Sequence, residues 1–233
     1  MKRIAIMGTG GVGQAYASKF IALGYDVMLG TRNVSEKLAD SAKNGYGNPP
    51  FSEWHASNKS VKLGTFAEAA LFGEIILNAT MGAKSIAALN SAGAKNLKGK
   101  ILIDVSNPLD FSKGMPPSLL PELSNTNSLG EEIQKTFPDV KVVKTLNTMW
   151  NGLMVNPAML NGGDHSSFIC GNSTEAKEEV KEILKSFGWP AKNILDLGDI
   201  SAARGTEMYL PLWLRIFGAT GSGAFNIKIV SLK

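Results

Sequence analysis

Ile4-Ala5-Ile6-Met7-Gly8-Thr9-Gly10-Gly11-Val12-Gly13-Gln14-Ala15-Tyr16 is the stretch that decides the fold. A short apolar run, long enough for one buried strand, meets a GxGxxG turn, and a helix-period segment reaching Leu23 follows. Each glycine has a use there: Gly8 for the tight turn, Gly10 for close approach of a pyrophosphate, Gly13 for helix-on-strand packing. Thr9, Gly11 and Val12 complete the turn, whose helix N–H groups face the phosphates. Strand, turn and helix in that order predict dinucleotide binding.

Working outward, residues 1–146 alternate short apolar runs with helical patterns, the signature of repeated βα units on a parallel sheet. Strands are predicted at 3–7, 26–30, 61–64, 74–80, 100–105 and 140–145. Asn33, Thr65 and Ser128, each three residues before a glutamate, mark helix starts. The proline-bearing segments 44–60 and 106–127 read as long loops. Beyond Asn147 the pattern becomes a smaller α/β region: a strand near 167–170, a charged amphipathic helix over 174–187, a strand at 194–197, then an apolar helix. The expected architecture is a Rossmann-type doubly wound parallel sheet over 1–146, with a C-terminal region over 147–233 that completes an acceptor pocket.

Composition narrows the function. With 233 residues, 44% hydrophobic and 19% charged, the chain has ample core material. Its 24 Lys+Arg against 20 Asp+Glu are scattered rather than gathered into a stripe, which fits a small anionic ligand and speaks against nucleic acid. Cys170, the one cysteine, excludes an intrachain disulfide and reads as buried and inert; no metal site is expected. Glycines break the apolar opening too early for a leader, and Pro211 and Arg215 interrupt the most apolar late segment, so no membrane span and a cytoplasmic location are expected.

The second strand's end chooses the nucleotide. An NAD site would carry a carboxylate there for the ribose 2′-hydroxyl, but the chain reads Gly30-Thr31-Arg32-Asn33. Arg32 offers a planar fork for a 2′-phosphate, Thr31 and Asn33 flank it, and Lys37 lies on the next helix, so NADP(H) is the predicted cofactor.

These residues, with Asp104-Val105-Ser106-Asn107-Pro108, Val142-Val143-Lys144-Thr145-Leu146-Asn147-Thr148 and Gly198-Asp199 through Ala203-Arg204, resemble the coenzyme F420-dependent NADP oxidoreductase family over most of the chain. The module is also similar to the reductase part of metalloreductases that pass electrons through flavin to haem. The resemblance implies a nicotinamide facing a pocket where F420, a deazaflavin, or a flavin stacks, bordered by Thr80, Met81, Ser106, Asn107, Asn147, Thr148 and Met149. Met81-Gly82 departs from it, because the family carries a proline there.

Rival chemistries leave fewer marks. Tyr-x-x-x-Lys is absent, and only His55 and His165 are available as histidines, both placed in loops. Hydride transfer between stacked rings needs placement more than a protein acid. A reductase of a small imine or ketone would need a proton donor such as Thr148, His165 or Tyr209, and an NADP(H) sensor would need none. The apolar terminus around Tyr209, Leu212, Trp213 and Phe217 fits intrachain packing and a homodimer contact alike; the expected partners are a small-molecule acceptor and a second copy.

Overall fold

A computed structural model describes residues 2–42 and 49–232. Eight strands form one sheet: β1 (Arg3–Met7), β2 (Asp26–Thr31), β3 (Lys62–Thr65), β4 (Ile75–Asn78), β5 (Ile101–Asp104), β8 (Lys141–Thr145), β9 (Ser167–Cys170) and β10 (Ile194–Asp196). β6 (Leu109–Asp110) and β7 (Ser118–Leu119) make a small antiparallel ribbon apart from it. The sheet order is β10-β9-β8-β5-β4-β1-β2-β3. All neighbours run parallel except β8 with β9, which pair antiparallel through Lys144 with Cys170 and Thr145 with Ile169.

The central strands are apolar throughout because helices cover both sheet faces. Ile4 and Ile6 point into one layer with Tyr16, Phe20 and Leu29, while Ala5 and Met7 point into the other with Ala69, Leu89 and Leu102. This two-residue alternation splits a single apolar run between two cores. Each fully buried Ile, Leu or Phe contributes about 1.5–3 kcal/mol, so the sheet's centre is firmly held.

Local chemistry sets the helix starts. Asn33 Oδ1 accepts from the Glu36 N–H (3.2 Å) and Ser128 Oγ from that of Glu131 (3.1 Å). Thr65 and Glu68 form a reciprocal capping box. The glycine turn is sterically obligatory: Gly8 has φ +115°, and a Cβ on Gly13 would lie 2.2 Å from the Gly8 carbonyl oxygen.

Two loop expectations need correction. Within 44–60, Phe51–Ser57 is helical, because Pro50 supplies the N-cap and the prolines open the helix instead of preventing it; residues 44–48 lie outside the described residues. Within 106–127, the β6–β7 ribbon and the turn Pro121–Leu123 break the expected loop. The segment after Gly221 carries no regular structure and is tied back to the strand entry at Ser166, through the Ile227 carbonyl and the Ile229 N–H.

Candidate functional site

The chain's order reverses between β1 and β4, and a crevice opens outside the carboxyl ends of strands at such a switch point. The helix Gly11–Ala22 begins there. Its cap, Gly10, offers no side chain, its first turn holds no acid, and a Cβ at Gly10 would meet nothing within 4 Å. Unfilled N–H groups at an unobstructed, positive helix end form an anion cradle. The turn is braced from two sides: Gln14 Nε2 donates to the Thr9 carbonyl (2.9 Å) and Asn151 Nδ2 to that of Gly11 (3.0 Å). Val12 turns its side chain into the core, leaving its backbone to the turn.

At the end of β2, Thr31 is half-buried and Arg32 exposed, with no ion-pair partner for Arg32 among the described residues. Asn33's oxygen is occupied by its capping bond. Lys37 pairs with Asp40 (2.6 Å) and lies over the Phe51 ring. Among the described residues at this edge, the cation without an ion-pair partner is Arg32.

A polar lattice ties the exits of β4, β5 and β8 together. Asn78, wholly buried, donates through Nδ2 to Asp104 Oδ1 (2.9 Å), Ser85 Oγ (3.1 Å) and Ser106 Oγ (3.2 Å). The Thr80 hydroxyl donates to Asn78 Oδ1 (2.7 Å) and Ser106 Oγ to Asp104 Oδ1 (2.6 Å). Asn107 Nδ2 donates to the Asn147 carbonyl (2.8 Å), and Asn147 Nδ2 to Asn107 Oδ1 (2.9 Å). Thr148 is 1% exposed, yet its hydroxyl has no hydrogen-bond partner among the described residues. A buried polar group without a partner costs free energy, so Thr148 Oγ1 is an unmet hydrogen-bonding group beside the β8 exit. Met81 is exposed at the lip, whereas Met149 is buried in the core.

Beneath the lattice lies a charge cluster that sequence reasoning missed. Lys144 Nζ sits 2.8 Å from Asp104 Oδ2 and 2.7 Å from Glu207 Oε1, with all three side chains essentially inaccessible. Burial alone would lower the lysine's pKa, but the two carboxylates outweigh it and hold the ammonium above its ordinary value. Burial pushes the Glu207 carboxyl up, against the pull of Lys144. A lysine within Val142-Val143-Lys144-Thr145 and an aspartate ending Ile101-Leu102-Ile103-Asp104 were the available signals, since charges in strands buried on both faces need partners.

Neither histidine joins this lattice, although the antiparallel β8–β9 register sets the approach to β9, and His165 with it, beside the β8 exit. His55 Nε2 donates to the Val61 carbonyl (2.9 Å), and His165 Nε2 to that of Pro157 (2.9 Å). Cys170 is buried as expected, its thiol pushed up to about 12 by desolvation. Among the described residues no cluster of metal-ligating side chains occurs, and no helix is long and apolar enough to cross a membrane.

Comparison with known proteins places these features in a lineage. Residues 3–108 match the family described as NADP oxidoreductase, coenzyme F420-dependent. A crystal structure of a protein from Arthrobacter sp. FB24, assigned as an F420-dependent NADP-reductase, is similar with a TM-score of 0.92 and 52% identity, covering 99% of this chain and 100% of that one. Metalloreductase STEAP3 of Rattus norvegicus is 28% identical over 217 residues, which is 91% of this chain and 38% of the relative. The chain thus spans little more than a third of the curated relatives it matches. An imine reductase from Myxococcus stipitatus in complex with NADP+ is similar at a TM-score of 0.61 and 13% identity, covering 93% of this chain and 63% of that one, a likeness of fold alone.

Proposed function

The chain belongs to the coenzyme F420-dependent NADP oxidoreductase family, and from that premise we propose that this NADP-dependent oxidoreductase moves hydride between NADP(H) and a deazaflavin or flavin acceptor. The observation that carries this reading is the pairing, on one sheet edge, of an uncapped glycine-rich helix start and a free Arg32 with β4, β5 and β8 exits that hold no histidine.

The chain's own contributions follow from the geometry. Backbone N–H groups at the start of the helix Gly11–Ala22 bind the pyrophosphate, and Arg32 binds the 2′-phosphate with Thr31 beside it. The Asn107–Asn147 bridge fixes the spacing between the β5 and β8 exits, and the Thr148 hydroxyl is left to orient a polar edge of the bound rings. The nicotinamide, when bound, supplies the hydride chemistry. The protein supplies parallel placement and a floor whose polar groups, the Thr148 hydroxyl apart, are already paired, so little reorganisation is needed at transfer.

Reduction of an imine or ketone is favoured by the hydroxyls of Thr148 and Tyr209, which have no hydrogen-bond partner among the described residues. NADPH oxidation followed with F420, FMN, riboflavin and a carbonyl and imine panel tests the reading. Turnover with the deazaflavin or a flavin is expected; turnover confined to carbonyls or imines overturns it, as does tight NADPH binding without any turnover.

A further inference from the structure

The Asp104–Lys144–Glu207 cluster has an unusual charge count. Lys144 spends its three N–H donors on Asp104 Oδ2 (2.8 Å), Glu207 Oε1 (2.7 Å) and the Ser106 carbonyl (2.6 Å). Asp104 Oδ1 accepts from Asn78 Nδ2, the Ser106 N–H and the Ser106 hydroxyl. Glu207 accepts from the backbone N–H groups of Leu129 (2.8 Å) and Gly130 (3.0 Å) as well as from Lys144. Backbone N–H groups and the Lys144 ammonium donate to both carboxyls, an arrangement that favours the carboxylate form of each against the burial that pushes the Glu207 carboxyl up. Two carboxylates against one ammonium leave one negative charge in excess, partly offset by the positive start of the helix Leu129–Thr136.

Among the described residues, neighbouring cations are already matched. Arg204 is matched by Glu131, and Lys177 by Asp196. Cys170, cross-strand partner of Lys144, keeps its proton.

The cluster's place in the sheet gives the excess charge a consequence. Asp104 ends β5 and is the register partner of Lys144 on β8, two and three residues below Ser106 and Asn147. A dinucleotide anchored by Arg32 beyond β2 and crossing the Gly8–Gly13 turn carries its other base to the β4–β5–β8 half of the crevice. That base differs in charge between its two states. When hydride, one proton with two electrons, leaves the reduced ring for a deazaflavin-class or flavin-class acceptor, the ring gains one positive charge and the acceptor gains the hydride.

We propose that the buried Asp104–Lys144–Glu207 cluster makes the site prefer the cationic, oxidised nicotinamide over the neutral, reduced one, and so biases hydride transfer out of NADPH. The inference rests on NADP(H) binding in this crevice. A buried charge is screened far less by salt than one on the surface, so one unit is felt at the strand exits two and three residues above it.

The test is the ratio of dissociation constants, Kd for NADP+ over Kd for NADPH, measured at pH 8.5 by fluorescence titration and competition. Glu207→Gln removes the excess charge and should raise the ratio by about three- to tenfold. Asp104→Asn makes the same charge change from the other end of the cluster and should raise it similarly, so one folded single variant is enough. The double variant Lys144→Met with Glu207→Gln damages the cluster more but restores a single negative charge, and should bring the ratio back to within about twofold of the parent. Unmoved ratios in the singles overturn the proposal, and so does a double variant further from the parent than Glu207→Gln. Failure of the parent protein to bind either nucleotide overturns the NADP(H) reading instead.

Discussion

Asn107 and Asn147 satisfy one another across the gap between β5 and β8: Asn107 Nδ2 donates to the Asn147 carbonyl (2.8 Å) and receives in return, at Oδ1, the Asn147 Nδ2 donor (2.9 Å). The pair joins residues 40 positions apart and closes the crevice floor where the two strands end. Replacing Asn107 with Ala leaves the wholly enclosed Asn147 amide unpaired, at a cost of about 1–3 kcal/mol. Thermal unfolding should show that loss, and hydride transfer should fall through kcat because the floor loosens. An unchanged melting midpoint would show the bridge to be ornamental.

The two histidines should be dispensable for transfer. Both rings are bound to backbone carbonyls, and His165 is wedged edge-on against Trp189. His55→Ala and His165→Asn should therefore keep transfer to a flavin-class acceptor within about tenfold of the parent, although His165→Asn should lower stability. A thousandfold loss in a variant that still folds would point to proton-coupled carbonyl reduction.

How much of this was legible differs by range of interaction. The strands, the glycine turn and the three capped helix starts depend on neighbours within a few residues, so Ile4–Gly13 and Thr65–Glu68 announce themselves. Arg32 was legible because the fold assigns a role to the residue ending the second strand. Glu207 was not, because its partners Lys144 and Leu129 lie more than 60 residues away and a lone glutamate in a helical pattern looks like a solvated one. Asn78 hid for the same reason, its partners Asp104 and Ser106 lying on the next strand's exit. Prolines 49 and 50 misled in the other direction, since proline opens helices as readily as it marks loops.

Acid should weaken the clamp between the Arg204 guanidinium and Glu131, held through two bonds of 2.8 and 2.5 Å. The Arg204 hydrogen bonds hold the Glu131 carboxyl below its usual range. A folded-state pKa depressed in this way contributes stability that is fully present above the unfolded glutamate value, about 4.3, and is lost as pH falls through the folded value. Arg204→Ala should thus lower the melting midpoint at pH 7. The gap between variant and parent should close as the pH is taken below 4. A gap that stays constant down to the acid transition would assign the loss to packing.

Assembly is open to direct measurement. Trp213 stacks within the chain on Phe217 and Phe225, while Leu212 on the same helix is 56% exposed beside exposed Met208. We expect this face to meet a second copy, giving a homodimer at micromolar concentration by sedimentation, and Leu212→Glu to release monomers without unfolding the chain. A parent protein that sediments only as monomer removes the dimer.

Nucleotide choice should rest on Arg32 alone among the described residues that follow β2. Its guanidinium is exposed and unpaired among the described residues, whereas Lys37 is already bound to Asp40 and lies over Phe51. A charge-assisted fork to the 2′-phosphate is worth about ten- to a hundredfold in affinity, so NADPH should bind more tightly than NADH by that margin. Arg32→Glu should reverse the order, because a carboxylate repels the phosphate and accepts from the free ribose hydroxyls. Lys37→Ala should change NADPH affinity by less than about threefold, since its ammonium is held elsewhere and screened by solvent. Titrating both nucleotides against the three proteins decides between these roles. Equal affinities in the parent would deny Arg32 its part, and a larger effect at Lys37 than at Arg32 would move the phosphate contact onto the helix that follows.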